Sequence, residues 1–413
     1  MGSKVVRVGD IATINSSQYS PKEKWSHIQY LDTGSVTKGS ISDLQQLDPA
    51  VDKIPSRARR KVFDKSIVYS MVRPNQEHYA FLDNPPTDML VSTGFSVIDA
   101  KTELVSPGYL YYSLTTAEAT EHFQSLAEQC VSTYPTLGVG DLSAYEIVLP
   151  SLDIQRAIER ILGDLDDKIK LNSQLNDYLA ELLDAQYGRL IAESSESALL
   201  IDIVRILSGG TPKTKNSEYW EGGSIPFFAP GDVTNSIYTL VTEKHITESG
   251  LNNCNSALYP VDTVFLTARG TVGKVAMAGR PMAMNQSCFA FAGIKVPQTV
   301  VFQVIKGAVR SLKAKANGAT FAAINTRDLK DEEVSILSSE RMAIYDRWAK
   351  PLHEMVRSNE EESLRLAALR DALLPKLMSG EIDVSKVDIA QLNNHFPNSL
   401  RQLGDNVERR TNG

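Results

Sequence analysis

Apolar residues between Ser151 and Glu193 recur at three- and four-residue intervals: Ile154, Ile158, Ile161, Leu162, Leu165, Ile169, Leu175, Leu179, Leu182, Leu183 and Leu190. That period is helical, and polar or charged side chains fill the remaining faces. Ser151 reads as the N-cap and Asp153 suits the first turn. At ~1.5 Å per residue the predicted helix is about 65 Å long, more than a compact globule encloses. A second stripe runs from about Glu340 to Ser379 through Met342, Ile344, Trp348, Leu352, Met355, Val356, Leu364, Leu366, Leu369, Leu373 and Leu377. Pro351 removes a ladder N–H and predicts a kink or a lengthened bond near Arg347, while Gly380 supplies a left-handed stop. Each helix needs a long partner, so the two are expected to pack antiparallel as a coiled coil.

Elsewhere the pattern changes to short β-rich runs such as Ser66–Val72, set off by turn clusters such as Asp83-Asn84-Pro85-Pro86. These stretches form an internal repeat. Tyr134-Pro135-Thr136-Leu137-Gly138-Val139-Gly140-Asp141-Leu142 returns as Phe321-Ala322-Ala323-Ile324-Asn325-Thr326-Arg327-Asp328-Leu329. Each copy then enters an apolar run and a long helix, with Asn172 and Asn359 at matching places. The starts correspond as well, Val8–Ile14 against Leu200–Ile206. The reading is therefore α+β: mixed α/β globules at 1–150 and 200–338, a central helix at 151–199, a C-terminal helix at 339–384, and a flexible tail at 385–413. Such a chain has a pseudo-two-fold internal repeat, which suits a target with two parts.

Charge changes the picture less than it first suggests. The net charge is −7, which looks wrong for a nucleic-acid binder. However, 151–199 is distinctly acidic, whereas 200–338 carries a small basic surplus and Arg57, Arg59, Arg60 and Lys61 form a dense basic run. Local patches therefore outweigh the total. No run of 18 apolar residues exists to span a bilayer. Met1-Gly2-Ser3-Lys4 opens no signal peptide, and Val6 breaks the myristoylation pattern. Cys130, Cys254 and Cys288 are scattered and odd in number, as expected for a reducing cytoplasm without a disulfide frame or zinc knuckle.

Catalytic motifs are weak. Asp83-Asn84-Pro85-Pro86-Thr87 has the Asn-Pro-Pro of amino-methyltransferases, but Thr87 replaces the aromatic that should stack on a flipped base, and no Gly-rich cofactor turn lies nearby. Gly270-Thr271-Val272-Gly273-Lys274 lacks the spacer of a phosphate loop. The six histidines form no metal-spaced or triad-like set. The stronger pattern is paired loops. Val68–Arg73 lines up with Val264–Arg269, each an apolar strand ending in an arginine before a turn, and such an arginine can read a base edge or clamp phosphate. Ser208-Gly209-Gly210-Thr211-Pro212-Lys213-Thr214-Lys215 offers hydroxyls and cations to phosphate. The candidate DNA-binding residues are thus Arg57, Arg59, Arg60, Lys61, Arg73, Thr211, Lys213, Lys215, Arg269 and Lys274, with no catalytic and no metal residue.

Three segments together resemble the specificity (S) subunit of type I restriction–modification systems, the HsdS family. Ser208–Val233 looks like the opening of its target-recognition domain, Pro150–Asn172 like the start of its central spacer helix, and Leu369–Val384 like the end of the second spacer helix. The first globule departs, with Ser16-Ser17-Gln18-Tyr19 where the Gly-Gly-Thr-Pro loop would be. The resemblance implies two target-recognition domains separated by two long antiparallel helices, each domain reading one half of a split site in double-stranded DNA. The half-sites would lie about one helical turn apart, ~34 Å. It implies a cytoplasmic, non-catalytic chain with no cofactor of its own and no membrane partner. Two methyltransferase subunits would bring S-adenosylmethionine, and two restriction subunits, where present, ATP and Mg. The acidic helices would serve as the docking surface. The competing readings are a DNA adenine methyltransferase using Asn84-Pro85-Pro86 and a coiled-coil scaffold that binds only protein.

Overall fold

A computed structural model describes residues 4–129, 135–193, 195–315 and 323–384. Tyr134, Phe321 and Ala322 of the repeat, Cys130, and the tail at 385–413 lie outside the described residues. The chain forms two compact units, Met1–Asp166 with Ala368–Gly413, and Asp167–Ala367. Both long helices are present, Leu152–Glu193 with 42 residues and Ser339–Met378 with 40, and each contributes to both units.

The repeat extends to the hydrogen bonds. In the first unit, Lys4–Arg7 pairs antiparallel with Glu146–Leu149, and in the second Glu196–Leu199 pairs with Glu333–Ile336. Each ribbon leads into a single helical turn whose first N–H is taken by the other arm: Val8 donates to the Tyr145 carbonyl and Leu200 to the Glu332 carbonyl, both at 2.9 Å. The recurring Asp-Leu pair now has a cause. Asp141 accepts from the Gly138 N–H at 3.0 Å and Asp328 from the Asn325 N–H at 2.9 Å, closing a helix start in each copy. Leu142 and Leu329 are fully buried beneath those turns.

Among the described residues, two sheets of three or more strands build each globule. The first unit orders Ala12–Ile14, Phe95–Ala100, Ser66–Ser70 and Tyr79–Leu82 in one sheet, and the second unit Val204–Ser208, Cys288–Gly293, Val264–Thr267, Val275–Ala278 and Tyr238–Thr239. The other sheet of each unit, four-stranded in the first and three-stranded in the second, carries a parallel pair, Ile28–Leu31 with Met89–Ser92 and Ile225–Phe228 with Ala283–Met284. Central strands such as Ser66–Ser70 and Val264–Thr267 are buried at every position, so they show an apolar middle bounded by buried hydroxyl residues rather than alternation. Helices Pro107–Leu114 and Ala117–Gln129 cover the first core, and Gln298–Lys315 the second.

Helix limits match the sequence pattern closely. The Gln155 N–H donates to the Ser151 carbonyl at 3.0 Å, so Ser151 stands at the cap position. Gly380 takes φ +77° at the far end. The C-terminal helix continues through Pro351 without a break. Within the second unit the helices run antiparallel. Asn176 meets Val356 and Asn359, Leu183 meets Tyr345, and Leu190 meets Arg341.

The single apolar stripe on the central helix resolves into two. An inner face, Asn172, Asn176, Leu179, Leu183 and Tyr187, is buried. One residue away, Leu171, Leu175, Tyr178 and Leu182 stay exposed, Tyr178 at 67%. Leu175 and Leu182 thus belong to the outer stripe rather than the packed seam. Ile344, Met355, Leu364 and Leu369 are likewise exposed on the second helix.

Candidate nucleic-acid interface

Loops converge at one end of the larger sheet in the second unit. Strand Val264–Thr267 leaves the sheet into a turn ending at Lys274, in which Gly270 and Gly273 take φ +81° and +80°, a region that suits glycine. The Thr267 hydroxyl ties the turn, donating to the Thr271 carbonyl and accepting the Lys274 N–H at 2.9 Å. The Thr271 hydroxyl donates to the Pro230 carbonyl at 3.1 Å. The Ser287 carbonyl accepts both the Ala268 N–H at 2.8 Å and the Arg269 N–H at 3.2 Å. From the far end of helix Gln298–Lys315, Lys313 reaches over the turn: a Cβ added at Gly273 would lie 3.0 Å from its Nζ.

The Ser208–Lys215 loop lies against the same end. Its glycines are required by close approach, since a Cβ would come within 2.0 Å of the Asn285 carbonyl at Gly209 and 2.5 Å of the Asn255 N at Gly210. The Gly210 N–H donates to the Met284 carbonyl at 2.9 Å. Thr211 spends its hydroxyl on Gln286. Lys213, Lys215, Arg269, Lys274 and Lys313 are all exposed, and none makes an ion pair with a described residue. Cations beside hydroxyl and amide groups on a rigid loop end can hold phosphate and reach base edges.

The first unit has the same framework with different side chains. The Met71 N–H donates to the Gly94 carbonyl and the Leu137 N–H to the Met71 carbonyl, as Ala268 does to Ser287 and Ile324 to Ala268. Met71 therefore matches Ala268, and strand pairing agrees: Ser70 faces Phe95 as Thr267 faces Cys288. The alignment of Val68–Arg73 with Val264–Arg269 is one residue out, so Val72 is the structural counterpart of Arg269. Both strands are buried at every position, so no alternation fixes their register, and the correct one sets the hydroxyl residues Ser70 and Thr267 in equivalent places. Arg73 is exposed at φ +50°, beginning the short helical turn Pro74–Gln76, with its N–H on the Pro135 carbonyl at 3.0 Å. Both arginines still leave the same end of equivalent strands.

The basic run divides. Arg57 is exposed at this loop end, where its carbonyl accepts the Thr93 N–H at 2.9 Å. Arg59, Arg60 and Lys61 lie half-buried in strand Ala58–Lys61. The Arg59 carbonyl accepts the Tyr19 N–H at 2.7 Å and its Nε donates to the Ser56 carbonyl at 3.3 Å. Burial lowers the pKa of Arg60, whose Nε finds no hydrogen-bond partner among the described residues. Lys61 bonds Glu23, holding that carboxyl below its usual value, and lies 5.3 Å over the Trp25 ring. In place of the glycine loop, Tyr19 packs 4.8 Å from Trp25.

Asn84-Pro85-Pro86 is an exposed turn between Tyr79–Leu82 and Met89–Ser92. Asn84 takes φ +48° and gives its N–H to Asp64 at 2.8 Å, while Pro86 accepts from the Met89 N–H at 3.0 Å. Lys313, Gln286 and Ser287 were missed from the sequence. Only the fold brings them to the Arg269 turn, and no local motif marks them.

The family model of the type I restriction modification DNA specificity domain matches residues 2–181 and again 193–341. The chain belongs to this family. Its role is accordingly that of a DNA-recognition subunit of a restriction–modification complex. The type I restriction enzyme HindI specificity subunit of Haemophilus influenzae is 25% identical, over 92% of this chain and 99% of its own length. The MjaIX specificity subunit of Methanocaldococcus jannaschii is 34% identical over 34% of this chain and 33% of its own. A solved type I restriction–modification S subunit from M. genitalium shares the fold, with a TM-score of 0.56 at 14% identity, over 92% of this chain and 96% of that one. Among the described residues no helix is long and apolar enough to cross a membrane.

Proposed function

We propose that each unit reads one half of a split, asymmetric site in duplex DNA through the loop end described above. The observation that supports this most directly is the repeated loop framework, Met71–Gly94–Leu137 in one copy and Ala268–Ser287–Ile324 in the other. The same scaffold carries different side chains, as two readers of different half-sites require. In the second unit the contacts are Arg269, Lys274 and Lys313 with the loop bearing Lys213 and Lys215. In the first they are Arg57 and Arg73. Arg60 and Lys61 belong chiefly to the packing of their own globule.

In this reading the chain performs no chemical step and holds no cofactor. Two methyltransferase subunits supply S-adenosylmethionine and modify adenine, and restriction subunits, where present, supply ATP-dependent cleavage with Mg. The long helices set the number of unspecified base pairs between half-sites. Their outer apolar stripe, Leu171, Leu175, Tyr178 and Leu182, offers a helical partner an anchor at spacings of four and three residues. The compartment is the cytoplasm, where the partners and DNA are found together.

The test is sequencing of methylated adenines in cells that carry this chain with its methylating partner, alongside swaps of residues 200–338 with a relative. A two-part motif is expected, and the swap should change one half only. Both halves changing together would refute the assignment of one reader to each unit.

A further inference from the structure

Polar side chains occupy the centre of the helix pair in the second unit, where leucines would be expected. Asn172 is 1% exposed and Asn176 7%. The Asn172 amide donates to the Asn359 carbonyl at 3.3 Å, to Glu362 at 2.8 Å and to the Ser363 hydroxyl at 3.2 Å, and its oxygen accepts from Lys168 at 2.9 Å. Lys168 also pairs with Glu362 at 3.0 Å. The Asn176 amide donates to the Val356 carbonyl at 3.3 Å and to Glu360 at 3.2 Å, while its oxygen accepts the Asn359 amide at 2.8 Å. Glu360 in turn accepts the Ser236 hydroxyl from the globule.

These bonds obey the repeat. Asn172 and Asn359 stand 187 residues apart, as do Asn176 and Ser363. The bond from Asn172 to Ser363 therefore has its repeat counterpart in the bond from Asn359 to Asn176. Apolar layers continue the seam, with Leu179 and Leu183 packed in the same cluster as Val356 and Tyr345. A purely apolar seam accepts neighbouring registers at similar energy, whereas a buried asparagine layer is satisfied in one register only. Sliding by one turn would break this matched set and turn the buried amide of Asn172 toward Leu366 and Ala367, or that of Asn176 toward Leu352 and Met355, at the cost of an unpaired buried group.

We infer that Asn172, Asn176 and Asn359 form a register lock that makes the chain specific for one spacer length between half-sites. They are positioning residues, acting through the helices and touching no DNA. The inference rests on the proposed two-part reading. A slip of one turn moves a helix by about 5.4 Å, more than the ~3.4 Å rise of a base pair. Loosening the register would thus make neighbouring spacers acceptable, while leaving each half-site sequence unchanged.

The decisive variant is the triple Asn172→Leu, Asn176→Leu and Asn359→Leu in the full chain, assembled with its methylating partner. A plasmid library would carry the native half-sites with the native spacer and with one or two base pairs added or removed. Wild type should methylate the native spacer at least about tenfold faster than its neighbours, in line with the usual cost of a mismatched site. The triple variant should lose most of that ratio while melting no lower than wild type, because leucine packs the seam without fixing it. Loss of stability alone would leave the ratio intact. A folded variant with the wild-type spacer ratio overturns the inference. Should the triple variant fail to fold, Asn176→Leu with Asn359→Leu decides it, since this pair removes two mutually bonded amides and keeps Asn172 on Glu362. An unchanged ratio there overturns the inference equally. A wild-type complex that methylates no two-part motif would sink the functional reading itself.

Discussion

His353 lies on the C-terminal helix, 2% exposed, and neither ring nitrogen has a hydrogen-bond partner among the described residues. Tyr238 and Phe302 meet it edge-on, with centroids at 6.1 and 5.8 Å. Burial pushes its pKa from 6.5 down to about 4, opposed by the fields of Asp262, Asp346 and Asp184 and assisted by Lys306. The folded state therefore keeps a neutral imidazole where the unfolded chain takes a proton. The resulting stability is fully present above pH 6.5 and is lost as pH falls toward 4. At 1.36 kcal/mol per pH unit the full loss is about 3 kcal/mol, of which about 2 kcal/mol falls between pH 7 and pH 5. His353→Leu removes the titration and keeps an apolar side chain of similar size. Amide exchange in peptides from Gln298–Lys315 and from the helix around His353 reads the second unit alone. Wild type should lose about 2 kcal/mol more protection than the variant between pH 7 and pH 5. Equal losses in the two proteins would refute the reasoning, since every other titrating group is common to both.

Arg269→Ala should cost about 1–3 kcal/mol of binding and relax one position of one half-site if the guanidinium reads a base, with methylome sequencing as the check. Replacing Lys274 and Lys313 together by alanine should weaken binding to all sequences alike and reduce the salt slope by about two units, measured by titration at several ionic strengths. Tyr178→Asp with Leu182→Asp should weaken assembly with the methylating partner by about 2 kcal/mol or more while each unit keeps its melting behaviour, as read by calorimetry. Gly210→Val should destabilise the second unit by about 1–3 kcal/mol, because its Cβ would enter the space of the Asn255 backbone; thermal melting tests this.

Much of the architecture could be read from periodicity. Both long helices end within a residue or two of the limits set by Ser151 and Gly380, because caps and stops are local chemistry. The Asp-Leu pairs were visible as repeats, and the structure supplies the reason, a carboxylate closing a helix start over a buried leucine. The sheet orders were not legible, since pairing of Phe95–Ala100 with both Ala12–Ile14 and Ser66–Ser70 is set by contacts remote in sequence. Nor could one stripe be told from two on the central helix. Residues 171, 175, 178 and 182 differ from 172, 176, 179 and 183 by a single position, about 100° around the axis.

The placement of the candidate residues was legible in part. Arg57 was marked by a basic run, Arg269 by its place at a strand exit, and Lys213 and Lys215 by loop composition; all four, with Lys274, are exposed at the loop ends. Arg60 and Lys61 were chosen from the same basic run, yet they lie half-buried in a strand flanked by Gln18–Tyr19 and Met89–Ser92. Charge alone does not tell a solvated cation from one held by a glutamate and a tryptophan. The Arg73 register slipped by one because a strand buried on both faces carries no alternation to align. Composition marks which segments are loops, but only the backbone hydrogen bonds reveal which loop positions are equivalent. The test of equivalence is therefore Val72 against Arg269 rather than Arg73. Val72→Arg should place a cation in the first unit at the site that Arg269 occupies in the second and strengthen binding in a salt-dependent way.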